Sequence, residues 1–108
     1  MKELEFLGDS LKRLSEFPRD ARQVAGYQLR RVQDGLPSED FKPMADVGVG
    51  VEEIQVWGSA GTYRVLYTAR VADKVYVLHA FQKRTQQTLT REKAVAKRRF
   101  KQLMRGEL

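Results

Sequence analysis

A chain of 108 residues, 42% hydrophobic and 31% charged, carries enough apolar surface for one modest core and too little length for a second, so it reads as one domain spanning 1–108. With no cysteine and a single histidine, His79, it excludes disulfides, a thiolate nucleophile, Cys-based zinc sites and multi-histidine metal sites, and no cofactor or metal is expected. No apolar run approaches the roughly 20 residues that cross a bilayer, and acidic residues interrupt MKELEFLGDS where a secretory leader is apolar, so a cytoplasmic protein without membrane contact is expected. The formal net charge of +6 is uneven: residues 1–73 carry ten Lys/Arg against twelve Asp/Glu, residues 74–108 ten against two. Cations clustered in this way suit a polyanionic partner, or else form a solvated basic helix.

In chain order, residues 2–7 alternate charged and apolar side chains, as a half-buried first or edge strand does. Asp9 or Ser10 can cap a short helix through Leu11, Leu14 and Phe17, and Pro18 suits the first turn of a second. That second helix reaches about Asp34, stopped by Gly35, with Ala21, Val24, Ala25, Leu29 and Val32 as its apolar stripe. Residues 36–50 read as an irregular connection. Three strands follow, at 51–57, 62–70 and 74–81. The turns GSAG and Ala72-Asp73 between them are short enough to make an antiparallel meander. A last helix is expected from about Thr90, with Glu92 near its start, Ala96, Phe100 and Leu103 inward, and Lys93, Lys97, Arg98, Arg99, Lys101 and Arg105 around them. The fold class is therefore α+β, a mostly antiparallel β-sheet with an N-terminal helical hairpin and a C-terminal helix, the helices expected on one face and the other face open.

The segments GYQLRRVQDG, FKPM, VGVGVEEIQV, TYRVLYTA and VYVLHAFQKRTQQT together resemble the phage-derived Gp49-like branch of the RelE/HigB toxins, over nearly the whole chain. The resemblance implies a RelE-like fold and the toxin of a type II toxin–antitoxin system. It also implies endoribonuclease activity on mRNA at the ribosome, and a cognate antitoxin that often carries a helix-turn-helix domain. By the same resemblance, Lys83 stands where related toxins place a catalytic Arg or His. Two departures accompany it: Glu53 and Gln55 occupy positions that are basic in better understood relatives, and RTQQTLTREK supplies no counterpart of their C-terminal tyrosine.

Metal-free RNA cleavage needs a group to take the 2′-hydroxyl proton, charge to stabilise the phosphorane, and an acid for the leaving 5′-oxygen. With one histidine, cations must carry more of this work. Arg64, in the apolar strand YRVLY, is the first candidate, because a guanidinium there needs a phosphate or an ion-pair partner such as Glu53. Lys83 and Arg84 emerge after VYVLHAF and complete a catalytic set with His79 and Glu53. A carboxylate beside a guanidinium is a weakened base, and His79, grouped by strand alternation with Val75, Val77 and Phe81, also suits a core role. RNA-binding roles are expected for Trp57, by stacking, for Thr85 and Gln87, and for Lys93, Lys97 and Arg98. The alternatives are a ParE-like inhibitor of DNA gyrase, which shares the fold without needing catalytic residues, and a non-catalytic nucleic-acid-binding module of phage origin.

Overall fold

The alternating segments become strands of one sheet and the 3.6-periodic segments become helices packed against it. The computed structural model describes residues 1–107. Its elements are β1 (Glu3–Phe6), α1 (Ser10–Ser15), α2 (Arg19–Gln33), β2 (Phe41–Pro43), β3 (Val51–Gly58), β4 (Gly61–Val71), β5 (Lys74–Lys83) and α3 (Gln86–Met104). The five strands lie in the order β1-β5-β4-β3-β2. β1 runs parallel to β5, and every other pairing is antiparallel. The expected α+β class and meander are present. The connection 36–50 is not wholly irregular, because Phe41–Pro43 adds an edge strand to β3.

Two tight turns set the registers. Val71 pairs with Lys74 across Ala72 and Asp73, both at positive φ (54° and 56°), the backbone that a two-residue hairpin needs to match strand twist. Gly58 pairs with Gly61 across Ser59-Ala60, and the Ser59 amide donates to Asp20 Oδ2 (2.7 Å), tying this hairpin to the start of α2. That bond, made by the backbone amide, holds the Asp20 carboxyl below the ordinary aspartate range.

α2 lays Ala21, Ala25, Leu29 and Val32 on Ile54, Val56, Val65, Val75 and Val77. The two alanines, fully buried, let the helix backbone approach the sheet closely. Val24, expected in this stripe, is instead exposed. Gln28 takes an inward position and trades two hydrogen bonds with Glu39, Nε2 to Oε1 (2.9 Å) and Oε1 from the Glu39 amide (2.8 Å).

α3 corrects the expectation that all helices share one face. It packs Leu89 and Ala96, with Phe100 and Leu103, over Leu66, Leu78 and Phe81 on the opposite side, where Met44 and Val47 from the connection join them. It also starts four residues before Thr90. Thr85 is the cap, its hydroxyl accepting from the Thr88 amide (3.0 Å), while Thr90 sits inside the helix and donates back to the Gln86 carbonyl. A second correction concerns β5. Leu66 pairs with His79 but Tyr67 with Val77, so Leu78 is the extra residue of a β-bulge. Val75 and Val77 therefore face α2, whereas His79 and Phe81 face α3.

Candidate nucleic-acid interface

Register alone places the proposed residues in rows across the α3 face. Trp57, Thr62 and Lys83 form one row; Gln55, Arg64 and Phe81 the next; Glu53, Leu66 and His79 the third, with Lys42 of β2 beside Glu53. Side chains directly opposite stand about 5 Å apart at Cβ and diagonal neighbours roughly 7–8 Å, so Lys83 is the diagonal neighbour of Arg64. α3 covers the third row and leaves the first open: Glu53 and His79 are fully buried, Arg64 and Lys83 are partly exposed, and Trp57 is 66% exposed.

Arg64 makes the ion pair with Glu53 that its strand position allows. Nη1 lies 2.6 Å from Oε1, with side chains 12% and 1% exposed, and Gln55 Nε2 donates to the same carboxylate at 3.3 Å. Arg64 Nε and Glu53 Oε2 are buried without partners. Of the three guanidinium nitrogens, Nη1 is thus held, Nε is enclosed, and Nη2 is the one that can reach a ligand. Lys83 makes no ion pair among the described residues. Trp57, though exposed, is not loose: its Nε1–H donates to Asp40 Oδ2 at 3.1 Å, which fixes the ring plane at the rim of the sheet. A cation, a guanidinium and an oriented aromatic ring therefore share one open surface.

His79 occupies a different setting beneath α3. One ring nitrogen, Nε2, contacts the Glu92 carboxylate, and the other, Nδ1, faces Arg99 Nη1 at 3.2 Å. A guanidinium only donates, so Nδ1 is the acceptor and the ring proton sits on Nε2, pointing to Glu92. Burial holds the His79 pKa below its ordinary value, Glu92 opposing the shift and Arg99 and Arg13 reinforcing it. The network continues outward at both ends. Arg13 Nη2 reaches both Glu92 oxygens at 3.2 Å, and Arg99 also donates to the Leu78 carbonyl (2.9 Å) and to Asp9 Oδ1 (2.6 Å), whose carboxyl is lowered by that bond. Gly8, at φ +55°, is where Arg99 passes: a Cβ there would lie 2.5 Å from the guanidinium.

The sequence placed Glu92 only near the start of the last helix and Arg99 only among the cations around it, and gave Arg13 no role; none of the three was a site candidate. Their signal was available for α3: residues 89, 92, 96, 99 and 103 recur at helical spacing, so Glu92 and Arg99 lie on the buried stripe rather than around it. Arg13 carries no comparable mark.

The remaining sequence candidates are dispersed. Arg84 is exposed, donates to Gln82 Oε1 (3.0 Å), and borders a groove of about 420 Å³ at the edge of β5, lined also by Arg13, Phe17, Phe81 and Glu92. Thr85 is spent as the α3 cap and Gln87 is exposed in the first turn. Lys93 pairs with Asp46 (3.1 Å), lowering that carboxyl, and with Lys97 lines a separate depression of about 350 Å³, while Arg98 is exposed further along α3. These three cations are not gathered with Arg64 and Lys83. Among the described residues no three His, Asp or Glu side chains group as metal ligands, and no helix is long and apolar enough to cross a membrane.

No curated protein matches the chain. The family described as Phage derived protein Gp49-like (DUF891) matches residues 12–101, a span running from α1 into the C-terminal half of α3 and including the Arg64, Lys83 and His79 rows. A match over that much of the chain, on a five-stranded sheet of the RelE-like kind, implies an antitoxin partner, and the chain belongs to the Gp49-like family of RelE-like toxins.

Proposed function

We propose that the protein is the toxin of a type II toxin–antitoxin pair and acts as a metal-independent mRNA endoribonuclease on the ribosome. The observation that carries this reading is the Arg64 guanidinium, clamped by buried Glu53 through Nη1 and free at Nη2, one diagonal step from unpaired Lys83 on an open sheet face. A phosphodiester laid on that face meets Arg64 and Lys83 together, and Trp57 offers a fixed ring on which a neighbouring base stacks. The 2′-hydroxyl attacks phosphorus, the O2′–P bond forms, and the P–O5′ bond breaks. The products are a 2′,3′-cyclic phosphate and a 5′-hydroxyl. Arg64 neutralises the developing phosphorane and Lys83 protonates the departing 5′-oxygen. Glu53, enclosed behind Arg64, orients it, and the 2′-hydroxyl proton passes to solvent. His79 holds Glu92 and Arg99 in place.

Purified protein is expected to cut RNA, more efficiently with programmed ribosomes, and mapped 5′ ends in expressing cells are expected to fall in phase with codons. Lys83→Ala, and Arg64→Leu made together with Glu53→Leu so that no lone carboxylate is buried, should each lower cleavage about 10²–10³-fold while remaining folded. Unchanged cleavage in both would remove the site. Glu53 and Gln55, neutralising or neutral where a nuclease face gains from cations, favour one second reading, inhibition of DNA gyrase. Loss of supercoiling activity without RNA cleavage would select it. Salt-dependent nucleic-acid binding with neither effect would leave a binding module.

A further inference from the structure

The positive charge of residues 74–108 collects on a surface that the cleavage face does not use. α3 turns Leu89, Glu92, Ala96, Arg99 and Leu103 toward the body of the protein. On its opposite side Gln87, Arg91, Ala94, Arg98, Lys101 and Arg105 recur at the same helical spacing, and each is exposed. From Arg91 to Arg105 the helix rises about 21 Å. No acid interrupts this stripe. Glu92, the one acid of α3, is bonded inward to His79 and Arg13, and Asp46 and Asp9, which reach α3 from other elements, are taken by Lys93 and Arg99. Arg91, Arg98 and Lys101 make no ion pair among the described residues, and Arg105 makes only a loose one, 3.9 Å from Glu107. α2 differs, since Asp20 and Asp34 stand among its outward arginines. The stripe also lacks an aromatic ring, because Phe100 is turned inward and packs closely on Gly48.

We propose that the outward stripe of α3 docks on helical ribosomal RNA and holds the protein on the ribosome while the sheet face receives the message. The proposal rests on the ribosomal part of the function proposed above, which selects RNA over DNA, but docking is measurable without cleavage. The composition of the stripe selects a duplex over a single strand. Single strands are bound by cations together with exposed rings on which bases stack, and the stripe offers cations alone. The phosphates bordering a groove of an A-form duplex form a regular row of charge that is recognised by shape and backbone rather than by bases. A straight row of long cationic side chains meets such a row without entering the stack. Each phosphate it neutralises releases counterions, and a cation without an acidic partner gives up no bond in doing so. α3 covers the third row of the sheet and leaves Trp57, Lys83 and Arg64 accessible, so RNA on its outer side does not obstruct the cleavage face.

The test is co-sedimentation of the full chain with purified ribosomes over a range of salt. Fluorescence anisotropy accompanies it, with a labelled RNA hairpin, a DNA hairpin of the same sequence, and an unstructured RNA strand whose 2′-hydroxyls are methylated so that it is not cut. One variant combines Arg91→Gln, Lys101→Gln and Arg105→Gln, all exposed, and should keep the circular dichroism of the parent. It should bind ribosomes and the RNA hairpin about tenfold or more weakly, with the slope of log affinity against log salt reduced by about two to three. Free unstructured RNA should be cut at the parent's rate. A second variant, Lys12→Gln with Arg19→Gln and Arg22→Gln, removes the same charge from exposed positions of α1 and α2 and should bind as the parent does. Equal weakening in the two variants, unchanged ribosome binding in the α3 variant, or a greater loss on the DNA hairpin or the single strand than on the RNA hairpin overturns the proposal. Cleavage of RNA by a protein whose ribosome binding ignores the α3 charges removes the dock and leaves the nuclease standing; ribosome binding that depends on those charges without cleavage does the reverse.

Discussion

The two faces of the sheet are closed by different physics. Under α2 the contact is one of shape: Ala21 and Ala25 admit the helix, and Ile54, Val56, Val65 and Val77 fill the space without a charged side chain among them. Under α3 the apolar cluster is interrupted by Glu53, Arg64 and His79, each buried or nearly so and each held by a partner of complementary charge or hydrogen-bonding capacity. Shape complementarity leaves nothing for a ligand to exchange. Paired charge leaves groups whose partners a phosphate can join or replace, which is why the candidate chemistry lies on the α3 face and at its open end.

The contrast predicts its own largest effect. Glu53→Ala strands the Arg64 guanidinium in the sheet and should cost about 3–5 kcal/mol in urea unfolding, whereas Glu53→Leu with Arg64→Leu should fall within about 1 kcal/mol of the parent or exceed it. A double variant as unstable as the single one would mean that the pair contributes net stability and is not kept for its chemistry. On the other face, Ile54→Ala, at a position with no exposure, should cost about 2–5 kcal/mol, and by the same amount at pH 5.5 and 7.5, since the cluster around it holds no histidine or carboxylate.

A smaller effect separates the faces by pH. The folded state holds the His79 pKa below its ordinary 6.5 through burial, so the unfolded chain binds this proton first. The associated stability is present above pH 6.5 and is lost as pH falls below it toward the depressed folded value. Glu92 limits the loss; Arg99 and Arg13 deepen it. Urea midpoints compared at pH 7.5 and 5.5 should therefore drop for the parent chain and drop less for His79→Gln. An equal drop in both would assign the acid sensitivity to other groups. Asp9 and Asp46, whose carboxyls are lowered by Arg99 and Lys93, belong to a separate window near and below pH 3.8.

What the sequence revealed follows the same division. The α2 stripe, the meander and both hairpin turns were legible because each rests on local periodicity or turn chemistry within a few residues. Arg64 and Glu53 could be paired because strand alternation and a short turn fix their relation. His79 could not be placed, since no glycine or proline marks the bulge at Leu78 that turns it from the α2 side to the α3 side. The groove was illegible for another reason: Arg13, Tyr63 and Glu92 come from three elements whose meeting depends on where α3 crosses the sheet.

The start of α3 gives the smallest test and the sharpest. TQQTLT offers three threonines as caps, and the apolar stripe with Glu92 nearby points to Thr90, yet the chain uses Thr85. Thr85 can accept from the Thr88 amide and donate to the Thr88 hydroxyl (2.9 Å), so one side chain both satisfies an otherwise free helix amide and pins the first turn. Thr90 returns its hydroxyl proton to the Gln86 carbonyl, a bond already available to the helix backbone. Thr85→Ala should thus cost about 1 kcal/mol and fray the turn carrying Gln87 and Thr88, seen as faster amide exchange there. Thr90→Ala should be neutral or slightly stabilising, because alanine is the better helix former at an exposed interior position. Equal costs would mean that the helix begins in solution where the sequence first suggested.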